Sequence, residues 1–277
     1  MAKELKLVRF GVINKKERDN MDFNFKKKYG QNWLVDHNVL NRIIDSVNPT
    51  ENDLIIEIGS GSGTLTKELQ TFNSKILAYE IDLDTKVYLD KLNNDKITII
   101  YDDFLKRDIK KDLEDYNYDN LYIIANLPYY ITTPIIEKII KEKLKPTEMV
   151  LMVQKEVAAR LSAKPKTKDY GFITVYLNYY FNINKLFDVS KNAFKPVPNV
   201  DSAIIKLTSH NLYKCDEEKF IKLIKDSFTH KRKTLNNNLN NYDKELINKI
   251  LNKHDLSLQS RAEEVPIEVF IEIVNKI

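Results

Sequence analysis

At 277 residues, 43% hydrophobic and 30% charged, the chain can bury a full core and has the balance of a globular protein. Its 44 Lys and Arg against 40 Asp and Glu leave a net charge of +4, which permits a polyanionic partner without demanding one. A single cysteine excludes an internal disulfide and, with four His, leaves too few ligands for a zinc site, so no metal is expected. Residues 1–20 are polar and basic and read as a mobile extension. After Asp36, apolar Val39, Leu40, Ile43, Ile44 and Val47 follow helical spacing up to Asn48-Pro49. Strands and helices then alternate: strand 54–58, helix 65–72, strand 75–80, helix 85–92, strand 97–101, strand 121–125, helix 133–140 and strand 149–153. That alternation predicts an α/β fold with a mostly parallel sheet. Runs at 183–189 and 202–207 add strands with no helix between them, which predicts an antiparallel edge. From Asp216 the pattern is helical, with Phe220, Leu223, Ile224 and Phe228 on one stripe and a further helix over 246–251. The expected organisation is a catalytic domain over 21–209 and a smaller all-helical domain over 210–277. No apolar stretch approaches the ~18 residues of a membrane span, and no signal peptide is visible, so a cytoplasmic protein off the membrane is expected.

The turn after the first long strand reads Glu57-Ile58-Gly59-Ser60-Gly61-Ser62-Gly63. Glycines such as Gly59 and Gly61 let backbone approach a ligand, but the G-x-G-x-G spacing is not that of dinucleotide binders. A carboxylate at Glu57 suits a cationic ligand better than a pyrophosphate. Glu80 ends the second strand, where an acid can accept hydrogen bonds from ribose hydroxyls. Asp103 follows the third, where it can accept an adenine amine. Each acid alone could be a cap or a surface residue; all three at consecutive strand ends point to S-adenosylmethionine.

Asn126-Leu127-Pro128-Tyr129 follows the strand 121–125 at its carboxyl end, the edge where ligands collect in parallel sheets. An amide oxygen and a Leu127 or Pro128 carbonyl can hold an exocyclic amine, and the Tyr129 ring can stack on a base. A plain Pro-containing turn would also account for these four residues.

With these residues in hand, the chain resembles the KsgA family of ribosomal RNA adenine dimethyltransferases from about Lys28 to the C-terminus. The likeness rests on Tyr29 to Leu34, Glu57 to Gly63, Asn126 to Tyr129, Gln154 to Val157 with Lys168 to Gly171, and Phe194 to Pro198 followed by Val200 to Ala203. Lys231 to Leu235 and Arg261 to Glu263 agree. The sequence departs from the family in Trp33 for Phe, Ser60 for Pro and Ala125 for Gly, which puts loop geometry in question rather than chemistry. The resemblance implies a Rossmann-like class I methyltransferase sheet. It implies S-adenosylmethionine contacts at Asn32, Leu34, Gly59, Gly61, Glu80, Asp103 and Asn126. It also implies catalysis at Asn126 to Tyr129, and a Phe194 ring covering the second face of the base; a core aromatic ahead of a Pro-rich turn is the lesser alternative for Phe194. Lys28, Arg232 and Lys233 are expected to hold RNA backbone. The implied substrate is two adjacent adenosines in the 3′-terminal hairpin of small-subunit ribosomal RNA, within a 30S-type particle, each methylated twice by a monomeric enzyme. An Erm-type enzyme acting on large-subunit RNA, and an assembly checkpoint whose methylation is secondary, are the alternatives.

Overall fold

The structure, a computed structural model, describes residues 31–277. Lys28 and the extension expected over 1–20 lie outside the described residues. Among the described residues there are nine strands: β1 Trp33–Leu34, β2 Leu54–Ile58, β3 Lys75–Glu80, β4 Ile97–Tyr101, β5 Leu121–Asn126, β6 Glu148–Gln154, β7 Phe181–Val189, β8 Phe194–Lys195 and β9 Ser202–Ser209. Seven form one sheet in the order β4-β3-β2-β5-β6-β9-β7, and β1 pairs with β8 in a separate two-stranded ribbon. The pairs from β4 through β6 are parallel, while β9 runs antiparallel to both β6 and β7. This is the mixed sheet with an antiparallel edge that the sequence predicts.

The central strands are apolar because both faces are covered, as parallel sheets require. In β2 all five residues are buried. Alternate residues feed two cores. Leu54, Ile56 and Ile58 join Ile123, Ile135 and Leu151 on one face, and Ile55 joins Leu40, Leu69, Ile124 and Met152 on the other. A third core lies among the helices Glu217–Phe228, Lys244–Asn252 and Ile267–Val274. It also takes Tyr170 and Val175, which precede the expected boundary at 210. Helices Ile109–Leu113, Lys155–Leu161 and Phe172–Asn178 were not predicted; each is seven residues or fewer, too short for clear periodicity.

Chain direction along the sheet reverses between β2 and β5. From β2 the chain winds outward through β3 and β4, and from β5 it winds the other way to β6. Ligands collect at the carboxyl ends of strands beside such a switch point. The glycine loop follows β2 and the Asn126 tetrapeptide closes β5, so both meet there.

Candidate active site

The glycine loop is bent by backbone that only glycine adopts cheaply. Gly59, Gly61 and Gly63 have φ of +78°, +54° and +76°. A Cβ at Gly61 would stand 2.8 Å from Trp33 Nε1, and one at Gly63 would stand 2.5 Å from a Leu92 methyl. At Gly59 a Cβ would lie 3.8 Å from the Asn126 carbonyl oxygen, so the loop and the tetrapeptide approach closely.

Glu80, the last residue of β3, is 5% exposed. One carboxylate oxygen accepts the Gly61 N–H at 2.7 Å and the other accepts the Asp82 N–H at 2.8 Å. Burial pushes its pKa up, and the backbone N–H groups of Asp82, Gly61 and Ile81 oppose that. A carboxylate has about four lone-pair directions, so acceptor capacity is left for a further donor such as a ribose hydroxyl. Asp103 lies two residues past β4. Its carboxylate accepts the Leu105 N–H at 3.0 Å and meets Lys106 Nζ at 3.5 Å. It is both a turn cap and part of the cavity wall.

Asn126 terminates β5 as an ordered strand residue, half-buried. Its side-chain Nδ2 donates to the Asn32 carbonyl at 3.0 Å. That bond assigns the amide orientation, since the opposite flip would set two oxygens together. Oδ1 remains as an acceptor, with no bond to the described residues. The Pro128 carbonyl accepts the Ile131 N–H at 3.1 Å, which leaves the Leu127 carbonyl as the second acceptor. Tyr129 is held by a hydroxyl contact of 2.8 Å with Ser202. One cavity is lined by Asn32, Trp33, Gly59, Gly61, Glu80, Asp103 and the whole of Asn126 to Tyr129.

The family model for ribosomal RNA adenine dimethylase matches residues 22–277. The chain belongs to that family. Ribosomal RNA small subunit methyltransferase A of Aster yellows witches'-broom phytoplasma is 44% identical over 257 residues, spanning 91% of this chain and 95% of that one. The protein of the same name from Lactococcus lactis is 40% identical over 265 residues, spanning 92% and 90%. A dimethyladenosine transferase from Plasmodium falciparum superposes with a TM-score of 0.74 at 23% identity, covering 88% of this chain and 96% of that chain. The 23S rRNA methyltransferase ErmE gives 0.70 at 23% identity, covering 88% and 100%. The two solved structures share the class I methyltransferase fold with this chain.

As a ribosomal RNA adenine dimethylase the chain is an enzyme, and S-adenosylmethionine is its methyl donor. The cavity fits that group: positive-φ glycines admit close backbone approach, and two acids at successive strand ends line it with an amide acceptor. Two expected contacts are not found there. Leu34 is 4% exposed and Phe194 1%, and the pair face each other across the β1–β8 ribbon inside the second core. Burying two large apolar side chains outweighs leaving them at a polar rim. Phe194 therefore stands as a core aromatic, not as a cover for the base. Arg232 and Lys233 lie on an exposed turn away from the cavity wall, and their neighbour Lys231 donates to the Lys168 carbonyl at 2.7 Å. The cavity also uses Gln31, from the Tyr29 to Leu34 motif, and Ile81, Asp102, Phe104 and Tyr130, which carried no motif in the sequence. Among the described residues there is no metal-ligating cluster and no helix long and apolar enough to cross a membrane.

Glu57 does not face the cavity, contrary to the expectation that it meets a cation. It is 1% exposed and accepts from the Thr66 hydroxyl at 2.6 Å beneath the loop. Burial first, with the nearby Glu80 charge adding, pushes its pKa up to about 7 from the ordinary 4.5. Below pH 4.5 the carboxyl is protonated in folded and unfolded chains alike. Between pH 4.5 and 7 only the unfolded chain ionises, so stability falls as pH rises through that window. At about 1.4 kcal/mol per pH unit the loss is about 3 kcal/mol. Glu57→Gln is expected to flatten this decline, read as urea midpoints at pH 5 and pH 8.

Proposed function

We propose that this dimethyltransferase acts on N6 of two adjacent adenosines in the 3′-terminal hairpin of small-subunit ribosomal RNA, within a 30S-type particle and as a monomer. Residues 210–277 serve in this reading as a helical RNA-binding domain. The observation that carries the proposal is the Asn126 amide, locked by the Asn32 carbonyl so that its oxygen is an acceptor in the same cavity as Glu80 and Asp103. The target is taken from the small-subunit relatives, which match nearly the whole chain.

An adenine amine is a weak nucleophile because its lone pair is delocalised into the ring. Asn126 Oδ1 and the Leu127 carbonyl would accept its two hydrogens. Held this way, the nitrogen moves toward tetrahedral geometry and regains its lone pair. S-adenosylmethionine, when bound, would supply an electrophilic methyl group whose bond to sulfur breaks as the bond to nitrogen forms, leaving a neutral thioether. The positive charge that arrives on nitrogen is stabilised by the same two acceptors, and its proton passes to water. The cavity wall contains no His or Lys among the described residues, and none is required, because an alkylated adenine amine is acidic. Catalysis then comes from positioning and fixed dipoles. Removing a nucleotide from its stack costs a few kcal/mol, and stacking on Tyr129 returns about 1–3 kcal/mol.

The deciding experiment is methyl transfer from labelled cofactor to undermodified small subunits, with large subunits and duplex DNA as the other arms. Label confined to adjacent adenosines near the 3′ end of the small-subunit RNA is the expected result. Label in the large subunit would overturn it. Neutralising Arg232 and Lys233 together is expected to weaken particle binding and reduce its salt slope by up to ~0.9 log units per lost phosphate contact. An unchanged slope would make both ordinary surface charges.

A further inference from the structure

The hydroxyl of Tyr129 is superfluous to stacking, since a phenyl face serves a purine as well. Yet the oxygen is engaged at 2.8 Å by Ser202 Oγ, 73 residues away in sequence. Ser202 is fully buried and opens β9. It is paired on both sides, with Gln154 of β6 and with Val189 of β7. The residue before it is stapled twice. The Asp201 carbonyl accepts the Lys155 N–H at 3.0 Å, and its carboxylate accepts the Lys191 N–H at 3.0 Å. Ser202 Oγ is thus among the most rigidly placed polar atoms near the cavity.

Tyr129 is placed differently. It opens the short 3-10 helix Tyr129–Ile131, one turn long, and is only half-buried. A tyrosine ring is free about χ2 over a broad range. Left to its backbone, this ring could tilt and twist across the cavity it lines. Because β9 runs against its neighbours, its first residue reaches the carboxyl edge of the sheet, beside the end of β6. The antiparallel strand thereby brings a buried anchor to the tip of the stacking ring.

We infer that Ser202 is a positioning residue for methyl transfer: its buried hydroxyl fixes the plane of the Tyr129 ring on which the target adenine stacks. Ser202 touches neither substrate nor cofactor, and its effect passes through Tyr129. This rests on the adenine-stacking reading given above. In-line transfer is sensitive to displacements of about 1 Å, so a ring loosened at one end costs turnover more than affinity.

The test compares Tyr129→Phe, Ser202→Ala and the double variant in the full-length protein on undermodified small subunits. Each single variant is expected to lower kcat about 3- to 10-fold, the worth of one neutral hydrogen bond. KM for particles and cofactor affinity should stay within about threefold of wild type. The double variant should be no slower than the slower single. A hairpin RNA carrying 2-aminopurine at the target position supplies a second readout: its fluorescence on binding should be less quenched in both singles and equally so. Tyr129→Phe leaves the buried strand untouched, so it reports even if Ser202→Ala folds poorly. Wild-type kcat in either single, multiplicative losses in the double, or losses carried by cofactor affinity would each overturn the inference. Failure of the wild-type enzyme to methylate small subunits would instead overturn the substrate reading beneath it.

Discussion

Asn126→Ala is expected to lower kcat by about 10²–10³-fold while leaving cofactor affinity within about tenfold. In the proposed mechanism the lost group is a preorganised acceptor for the amine on which positive charge develops. Removing one such group in comparable sites costs about 2.7–4 kcal/mol. Cofactor affinity is spared because Gly59, Gly61, Glu80 and Asp103 line the cavity on separate elements. Asn126→Asp makes a sharper comparison. A carboxylate keeps the acceptor but cannot donate to the Asn32 carbonyl, which now accepts at 3.0 Å. Two oxygens at that separation repel, so the carboxylate must turn away, and this variant too should be slow. Single-turnover transfer on undermodified small subunits, with calorimetry for cofactor, separates the two effects. Near-normal turnover by Asn126→Ala would remove the acceptor role, and near-normal turnover by Asn126→Asp would remove the role of the Asn32 contact.

Legibility in the sequence followed the range of the interactions that matter. Strands β2, β3, β5 and β6 were visible because burial on both faces writes a continuous apolar run, the part-buried edge strand β4 because its residues are still mostly apolar, and β5 runs one residue further than expected at its end. That residue is Asn126 itself, so the strand directly holds the amide proposed to be catalytic. The glycine loop was readable because its demand is local: three residues at positive φ. Leu34 and Phe194 were not, because their pairing joins two-residue strands 160 positions apart and no local pattern announces it. Glu57 misled for a related reason. The sequence shows a carboxylate beside a ligand loop, but not the neighbours that bury it or the Thr66 hydroxyl that satisfies it. The tie from Tyr129 to Ser202 was equally hidden, since it depends on the register of β9 against β6. Residue types at strand ends thus located the chemistry, while orientation within the site came from contacts across the fold.

Orientation also decides what becomes of Glu80. Its carboxylate does more than face a ligand: it accepts the Gly61 N–H on one side and the Asp82 N–H on the other. Asp82 in turn accepts from the Gln31 side chain at 2.6 Å, and the next residue, Asn32, presents the carbonyl that holds Asn126. Glu80 and the Asn126 amide, the proposed cofactor and catalytic groups, are therefore joined by this chain of contacts. Glu80→Ala orphans two buried backbone donors at about 1–3 kcal/mol each, so cofactor affinity is expected to fall by about 10²-fold or more, with a loss of stability. Glu80→Gln keeps the volume but sets an NH2 against one of the two N–H donors, and should recover only part of the affinity. The ionised carboxylate is the form both N–H groups favour, yet burial raises its pKa. Cofactor affinity in the wild type should accordingly weaken as pH falls through that raised value, and Glu80→Gln should lack this component. Calorimetric titration of cofactor from neutral pH down toward the ordinary carboxylate range reads both. If Glu80→Ala binds within about threefold of wild type at neutral pH, the glycine loop keeps its shape without the carboxylate, and the link to Asn126 carries no energy.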